Sequence, residues 1–148
     1  MVTITIKNLQ KKIPIHPQRI RKAVLKALFI QGVKKSGEIT ICFLNDRKIE
    51  ELNLMYLGSD CPTDVIAFDL SATKNEILAD LAISTDTAIR NARIFKTCAA
   101  YEVYLYVIHG ILHLLGFRDS TERQRKLMEE KATQILSALG IKNHSIRK

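Results

Sequence analysis

The chain has 148 residues, enough for one domain with a sizeable core. It is 47% hydrophobic and 26% charged with only six Gly and three Pro, which excludes a disordered or low-complexity chain. The formal net charge is +8, and its distribution along the chain is more informative than its size.

The opening "VTITIK" alternates and is β-branched, so Val2–Lys7 is expected to be a strand rather than a secretory leader. Pro17 then starts a helix to Phe29, with Ile20, Val24, Ala27 and Leu28 on one side and Arg19, Lys22 and Lys26 on the other. "GEITICFL" (Gly37–Leu44) reads as a second strand. Asn45 or Asp46 caps a short helix to Leu54 with Ile49 and Leu52 facing in, and "GSDCPTD" (Gly58–Asp64) is a loop. Val65–Leu70 and Glu76–Ser84 follow as strands. Ser84 caps a helix over Thr85–Ile94, with Ala88 and Ala92 inside. "CAAYEVYLYVIHGILHLLG" (Cys98–Gly116) is apolar on nearly every side, as a helix at the centre of a fold must be, and Gly116 ends it. Thr121 and Gln124 form a capping box for a last helix to about Leu139, with Leu127, Ala132, Ile135 and Leu136 on its apolar side. The order predicts a single α+β domain over residues 1–148, with a small mixed sheet of about four strands and about five helices.

Charge is segregated. From Met1 to Gly37 there are nine Lys/Arg and no acid, and from Gly140 onward three more and again no acid. All fifteen Asp/Glu lie between Glu38 and Glu130. A solvated basic face is one reading, but segregation this complete favours a polyanion, with Arg19, Lys22 and Lys26 contacting nucleic acid. The three cysteines, Cys42, Cys61 and Cys98, are far apart and form no CxxC, so they are expected to be reduced thiols of a cytoplasmic protein. The longest apolar run, Val103–Phe117, is shorter than the roughly 20 residues of a membrane span, and no membrane partner is expected.

The chemistry concentrates in "HGILHLLGFRDS". His109 and His113 are i, i+4 on a helix, so both rings leave one face and can ligate one ion. Gly116 allows a sharp turn that returns Asp119 as a third ligand. The spacing matches the metalloprotease pattern HExxHxxGxxH, except that Gly110 replaces its Glu and Asp119 its last His. An open fourth position would make this a catalytic site. Two core histidines are the alternative. Asp80, inside a strand pattern, either hydrogen-bonds a ligating histidine from behind or faces water at an edge. Glu102, two turns before His109 on the apolar helix, must be paired or lie near the cleft.

"HGILHLLGF" closely resembles the signature HGxLHLxGYDH of the YbeY family of metal-dependent bacterial endoribonucleases. "LNLMYLGSDCPTDVIAF" (Leu52–Phe68) is similar to that family's LNxxYRGxDxPTDVLSF, and "LADLAISTDTA" (Leu78–Ala88) to a third segment; Glu102 also matches a family position. The resemblance implies one divalent ion per chain, zinc first, on His109, His113 and Asp119. It also implies hydrolysis of single-stranded RNA, in maturation of the small-subunit ribosomal RNA 3′ end and in ribosome quality control. Ribosomal RNA and the small subunit would be the partners. Two positions depart from the family: Arg118-Asp119 stands for Asp-His, and Leu57 stands where the family has an arginine. A carboxylate ligand weakens the ion's pull on water and suits a harder metal. Arg118 is then the cation available to hold a phosphate, as a catalytic residue. The rival readings are a non-catalytic ribosome-associated RNA-binding factor with a degenerate site and, opposed by Gly110, a metallopeptidase.

Overall fold

A computed structural model describes residues 1–58 and 63–142. Cys61, His144 and the middle of the Gly58–Asp64 loop lie outside the described residues. Among the described residues four strands and five helices follow in the order β1 (Val2–Asn8), α1 (Pro17–Ile30), β2 (Ser36–Leu44), α2 (Asp46–Leu57), β3 (Val65–Asp69), β4 (Glu76–Ser84), α3 (Thr85–Phe95), α4 (Ala99–Leu114) and α5 (Glu122–Ala138). This is the α+β arrangement expected. Most helix ends lie where the capping residues place them: the Asn45 side chain accepts from Lys48 N–H, Ser84 from Thr87 N–H, and Thr121 with Gln124 closes the capping box.

The sheet runs β1-β2-β4-β3. The first three strands are parallel and β3 pairs antiparallel with β4 at one edge. Parallel neighbours require crossovers, which α1 supplies between β1 and β2. The register pairs Ile39 with Ala79, Ile41 with Leu81 and Phe43 with Ile83, and all of these side chains are buried on one face. Strand alternation puts Thr40, Cys42, Asp80 and Ala82 on the other.

Against the first face pack α1 and α4, with α5 laid against both helices, in a core that holds Ile20, Val24 and Ala27 of α1, Val107, Ile108, Ile111 and Leu112 of α4, and Ile135 and Leu136 of α5. Burying each such side chain contributes about 1.5–3 kcal/mol. On α5 the sequence expectation needs one correction. Leu127 is 46% exposed and Met128 takes the buried place, so the apolar stripe lies one position further on. The second face carries a smaller cluster, Leu44, Ile49, Ile66 and Ala82, under α2.

Gly110 fixes how closely α4 approaches the sheet. A Cβ there would lie 3.0 Å from both δ-methyls of Leu81 and 3.1 Å from Cγ2 of Val65. Any side chain at 110 would require Leu81 and Val65 to give by a few tenths of an ångström or the helix to stand off from β3 and β4. The residue that lacks the protease glutamate is therefore a packing glycine, and its Cα faces the sheet. Among the described residues no helix is long and apolar enough to cross a membrane.

Candidate active site

The site is built from the end of α4 and the loop before α5. Gly116 takes φ 98°, a conformation favouring glycine, and its N–H bonds the His113 carbonyl at 3.0 Å while Phe117 N–H bonds that of Leu112 at 3.0 Å. The chain thus folds back beneath the last turn of α4. From the other side α5 fixes the same loop. Gln124 Oε1 accepts from Ser120 N–H at 3.0 Å and Thr121 N–H at 3.2 Å, and Arg125 Nη1 donates to the Asp119 carbonyl at 3.1 Å. Arg125 is a positioning residue that the sequence did not reveal, because its partner is a backbone atom.

This turn brings Asp119 to His113. His113 Nδ1 lies 3.2 Å from the Phe117 carbonyl, and Nε2 lies 3.6 Å from Asp119 Oδ2. A carbonyl can only accept, so Nδ1 carries the hydrogen and, in the neutral ring, Nε2 presents a lone pair. A lone pair and a carboxylate oxygen then face each other. That arrangement calls for a cation between them, either a proton on the ring or a metal ion.

His109, one turn earlier, has an Nε2 that is buried without a hydrogen-bond partner among the described residues. An unpaired buried polar atom costs about 1–3 kcal/mol and requires a reason. Burial pushes the His109 pKa below its ordinary value, although Asp64, Glu129 and Asp119 pull it upward. The ring is therefore neutral at pH 7, the form that ligates metal. The donor set fits a divalent ion in kind: two imidazoles, a carboxylate, one oriented ring and one orphaned nitrogen. The structure closes only part of it, because among the described residues no three His, Cys, Asp or Glu side chains are gathered into a metal-holding group. His113 and Asp119 are together, and His109 stands apart.

Arg118 is exposed and lines an open cleft of about 280 Å³ with His113, Gly116, Phe117, Asp119 and Ser120. Arg19 and Lys22 are exposed and Lys26 half-buried along α1, whose opposite side is buried in the core. Arg19 sits against the beginning of α4, beside Val103 and Tyr104, and not at the histidine end.

Neither of the two carboxylates singled out in the sequence supports a histidine, although Asp80 is exposed and Glu102 is paired, as the alternative readings of each had it. Asp80 points away from α4, in register with Thr40 and Phe68, into a groove beneath α2 lined also by Cys42, Leu52 and Met55. Its neighbour Leu81 takes the α4 side, so Asp80 cannot reach a histidine. Glu102 is buried and paired, as its position demanded, but not with the site. Thr97 Oγ1 donates to it at 2.7 Å and the Tyr106 hydroxyl at 3.1 Å, and Asn91 in turn donates to Tyr106 at 2.8 Å. This chain of bonds ties α3 to the first turns of α4.

Asp64 is a nearer carboxylate than either. Its Oδ1 accepts from Val65 N–H at 2.7 Å and from the Thr63 hydroxyl at 3.3 Å, bracing the entry to β3, and its charge acts on both His109 and Tyr106. The loop residues of "PTDV" were the available signal. Leu57, in the place of the family arginine, ends α2 and is 63% exposed. The apolar groove beneath α2 is larger than this cleft, about 670 Å³, so cavity size does not locate the site.

The family model described as Endoribonuclease YbeY matches residues 5–140. Curated proteins named Endoribonuclease YbeY are similar along most of the chain. The one from Syntrophus aciditrophicus is 34% identical over 145 residues, covering 93% of this chain and 90% of the relative. The one from Parabacteroides distasonis is 42% identical over 122 residues, covering 80% and 85%. The one from Chloroherpeton thalassium is 36% identical over 140 residues, covering 94% and 96%. The solution structure of TM1509 from Thermotoga maritima superposes with a TM-score of 0.60 at 20% identity, covering 93% of this chain and 91% of that one, which shows the shared fold.

Proposed function

The chain belongs to the YbeY family of endoribonucleases, and from that premise we propose that it hydrolyses phosphodiesters of single-stranded RNA at the end of α4. The substrate is ribosomal RNA of the small subunit, cut in maturation of its 3′ end and in ribosome quality control. The work is done in the cytoplasm, where Cys42 and Cys98 remain the free thiols they are here. The observation that carries the reading is the pair of acceptor atoms, His113 Nε2 and Asp119 Oδ2, facing each other at 3.6 Å, with the unpartnered Nε2 of His109 one helical turn earlier on the same helix.

His109, His113 and Asp119 would hold one divalent ion, zinc first. Such an ion lowers the pKa of a bound water and polarises a phosphoryl oxygen. The protein's own part is to orient and to bind. The Phe117 carbonyl keeps the hydrogen of His113 on Nδ1 and so leaves Nε2 free. Arg125 and Gln124 hold the loop so that Asp119 stays near it. Arg118, open to solvent in the same cleft as His113 and Asp119, binds a phosphate of the strand. Farther along, Arg19, Lys22 and Lys26 bind phosphates without reading sequence. A peptidase reading has no support, since Gly110 leaves no carboxylate to act as base and faces the sheet.

Metal analysis of the purified protein beside an RNA-cleavage assay tests this. Wild type should carry one ion per chain and cut single-stranded RNA, and His113→Ala should lose both. Wild type with neither metal nor cleavage would sink the hydrolytic mechanism and leave an RNA-binding factor. Arg118→Ala should slow cleavage with metal content unchanged, and an unaltered rate removes Arg118 from the mechanism. Neutralising Arg19, Lys22 and Lys26 together should reduce the salt slope of RNA affinity by about 2.

A further inference from the structure

The basic strip of α1 ends on an aromatic ring. Phe29 is 77% exposed and follows Lys22 and Lys26 at i+7 and i+3, on the side of the helix opposite the buried Ile20, Ala23, Val24 and Ala27. The Lys26 ammonium lies 5.8 Å from the centre of its ring. Arg19 to Phe29 spans about 15 Å of helix, within a stretch that contains no acid before Glu38. With most of its surface in solvent, the ring adds little to the core, and a polar residue at position 29 would have cost the fold little.

We propose that Phe29 is a stacking platform for a base of single-stranded RNA, with Lys22 and Lys26 holding the flanking phosphates. This rests on the reading of the chain as an RNA-cleaving enzyme and adds where the strand lies outside the histidine site. An exposed aromatic within a run of cations is what unpaired bases need: a flat apolar face for the base and positive charge for the backbone. Such a platform accepts any base, so it lends affinity and register without sequence preference. It also selects against duplex, whose bases are already stacked on one another. Phe95 is the nearest rival, at 63% exposure on α3, but the preceding turns of that helix hold Asp86 and an Arg90 already paired with Asp46.

The chain has no tryptophan, so Phe29→Trp introduces a single fluorophore. Titrating that variant with a short oligouridylate should quench its emission with the midpoint of RNA binding. Phe29→Ala should weaken binding roughly 5- to 150-fold with the salt slope unchanged, since a stacked ring releases no counterion. Binding and cleavage that persist without quenching sink the stacking role alone, as does quenching in Phe95→Trp but not in Phe29→Trp. No RNA binding by wild type sinks the role together with the functional reading beneath it.

Discussion

On one face of the sheet, α4 carries Val107, Ile108, Ile111 and Leu112 to full burial. On the other, α2 buries Ile49 but leaves Leu54, Met55, Tyr56 and Leu57 more than half exposed beside a groove of about 670 Å³. Both helices meet the sheet, yet only one is held from several sides. α4 is enclosed by α1, α3, α5 and the sheet, whereas α2 rests on a small cluster and an edge-on contact of Tyr56 with Phe68, centroids 5.2 Å apart. The histidines are on the enclosed helix. Side chains that must keep a fixed separation belong on the part of the molecule with the least freedom to yield.

The largest test of this difference compares two isoleucines, both fully buried. Ile108→Ala, in the close-packed core, should cost about 4 kcal/mol, and Ile49→Ala, under α2, about 2 kcal/mol, because looser surroundings relax into the space. Equal losses in urea unfolding would mean that the two faces are equally rigid. A smaller effect should appear at the site itself. In protein stripped of metal, His109→Leu should raise stability by about 1 kcal/mol, since it removes a buried nitrogen with no partner, while metal content falls. A loss of stability instead would mean that the ring contributes to the core as an ordinary packed residue.

The smallest effect concerns the polar joint at which α2 meets α3. Partial burial alone would raise the Asp46 carboxyl, but hydrogen bonds from Arg90, Ser84 and Thr87 outweigh it and hold the group below its ordinary range. Asp86 is also lowered, by the Asp46 N–H and by Lys12. Depressed carboxylates stabilise the fold above their unfolded value of about 3.9 and lose that contribution as pH falls through the folded one. Asp46→Asn should therefore flatten the decline in stability below roughly pH 4, by a few tenths of a kcal/mol at these half-exposed partners. An unchanged acid limb would mean that the joint does not hold α2 in place.

Much of this molecule could be read from its residues, where the signal is local. The i, i+4 histidines, the turn at Gly116, the capping box at Thr121 and the continuously apolar α4 each depend on neighbours within one or two helical turns. Asp80 could not be placed because both faces of the sheet carry apolar residues, so alternation marks two sides without saying which one meets α4. The need of Glu102 for a partner was legible, but not the partners, Thr97 and Tyr106. The link from Arg125 to the Asp119 backbone and that from Lys12 through Asp86 to Asp46 join distant segments or main-chain atoms, and no sequence pattern marks them.

Gly110 has one more consequence, a mechanical one. His109 and His113 ride on a single rigid rod, so their mutual spacing survives any displacement of that rod. Asp119 belongs to a different body, the loop fastened to α5 by Arg125 and Gln124. The distance at which α4 rests on Leu81 and Val65 is therefore the adjustment between the two bodies. A single methyl added at 110, far from solvent and touching no ligand, would press on Leu81 and Val65, and whatever those side chains did not absorb would pass to both histidines together.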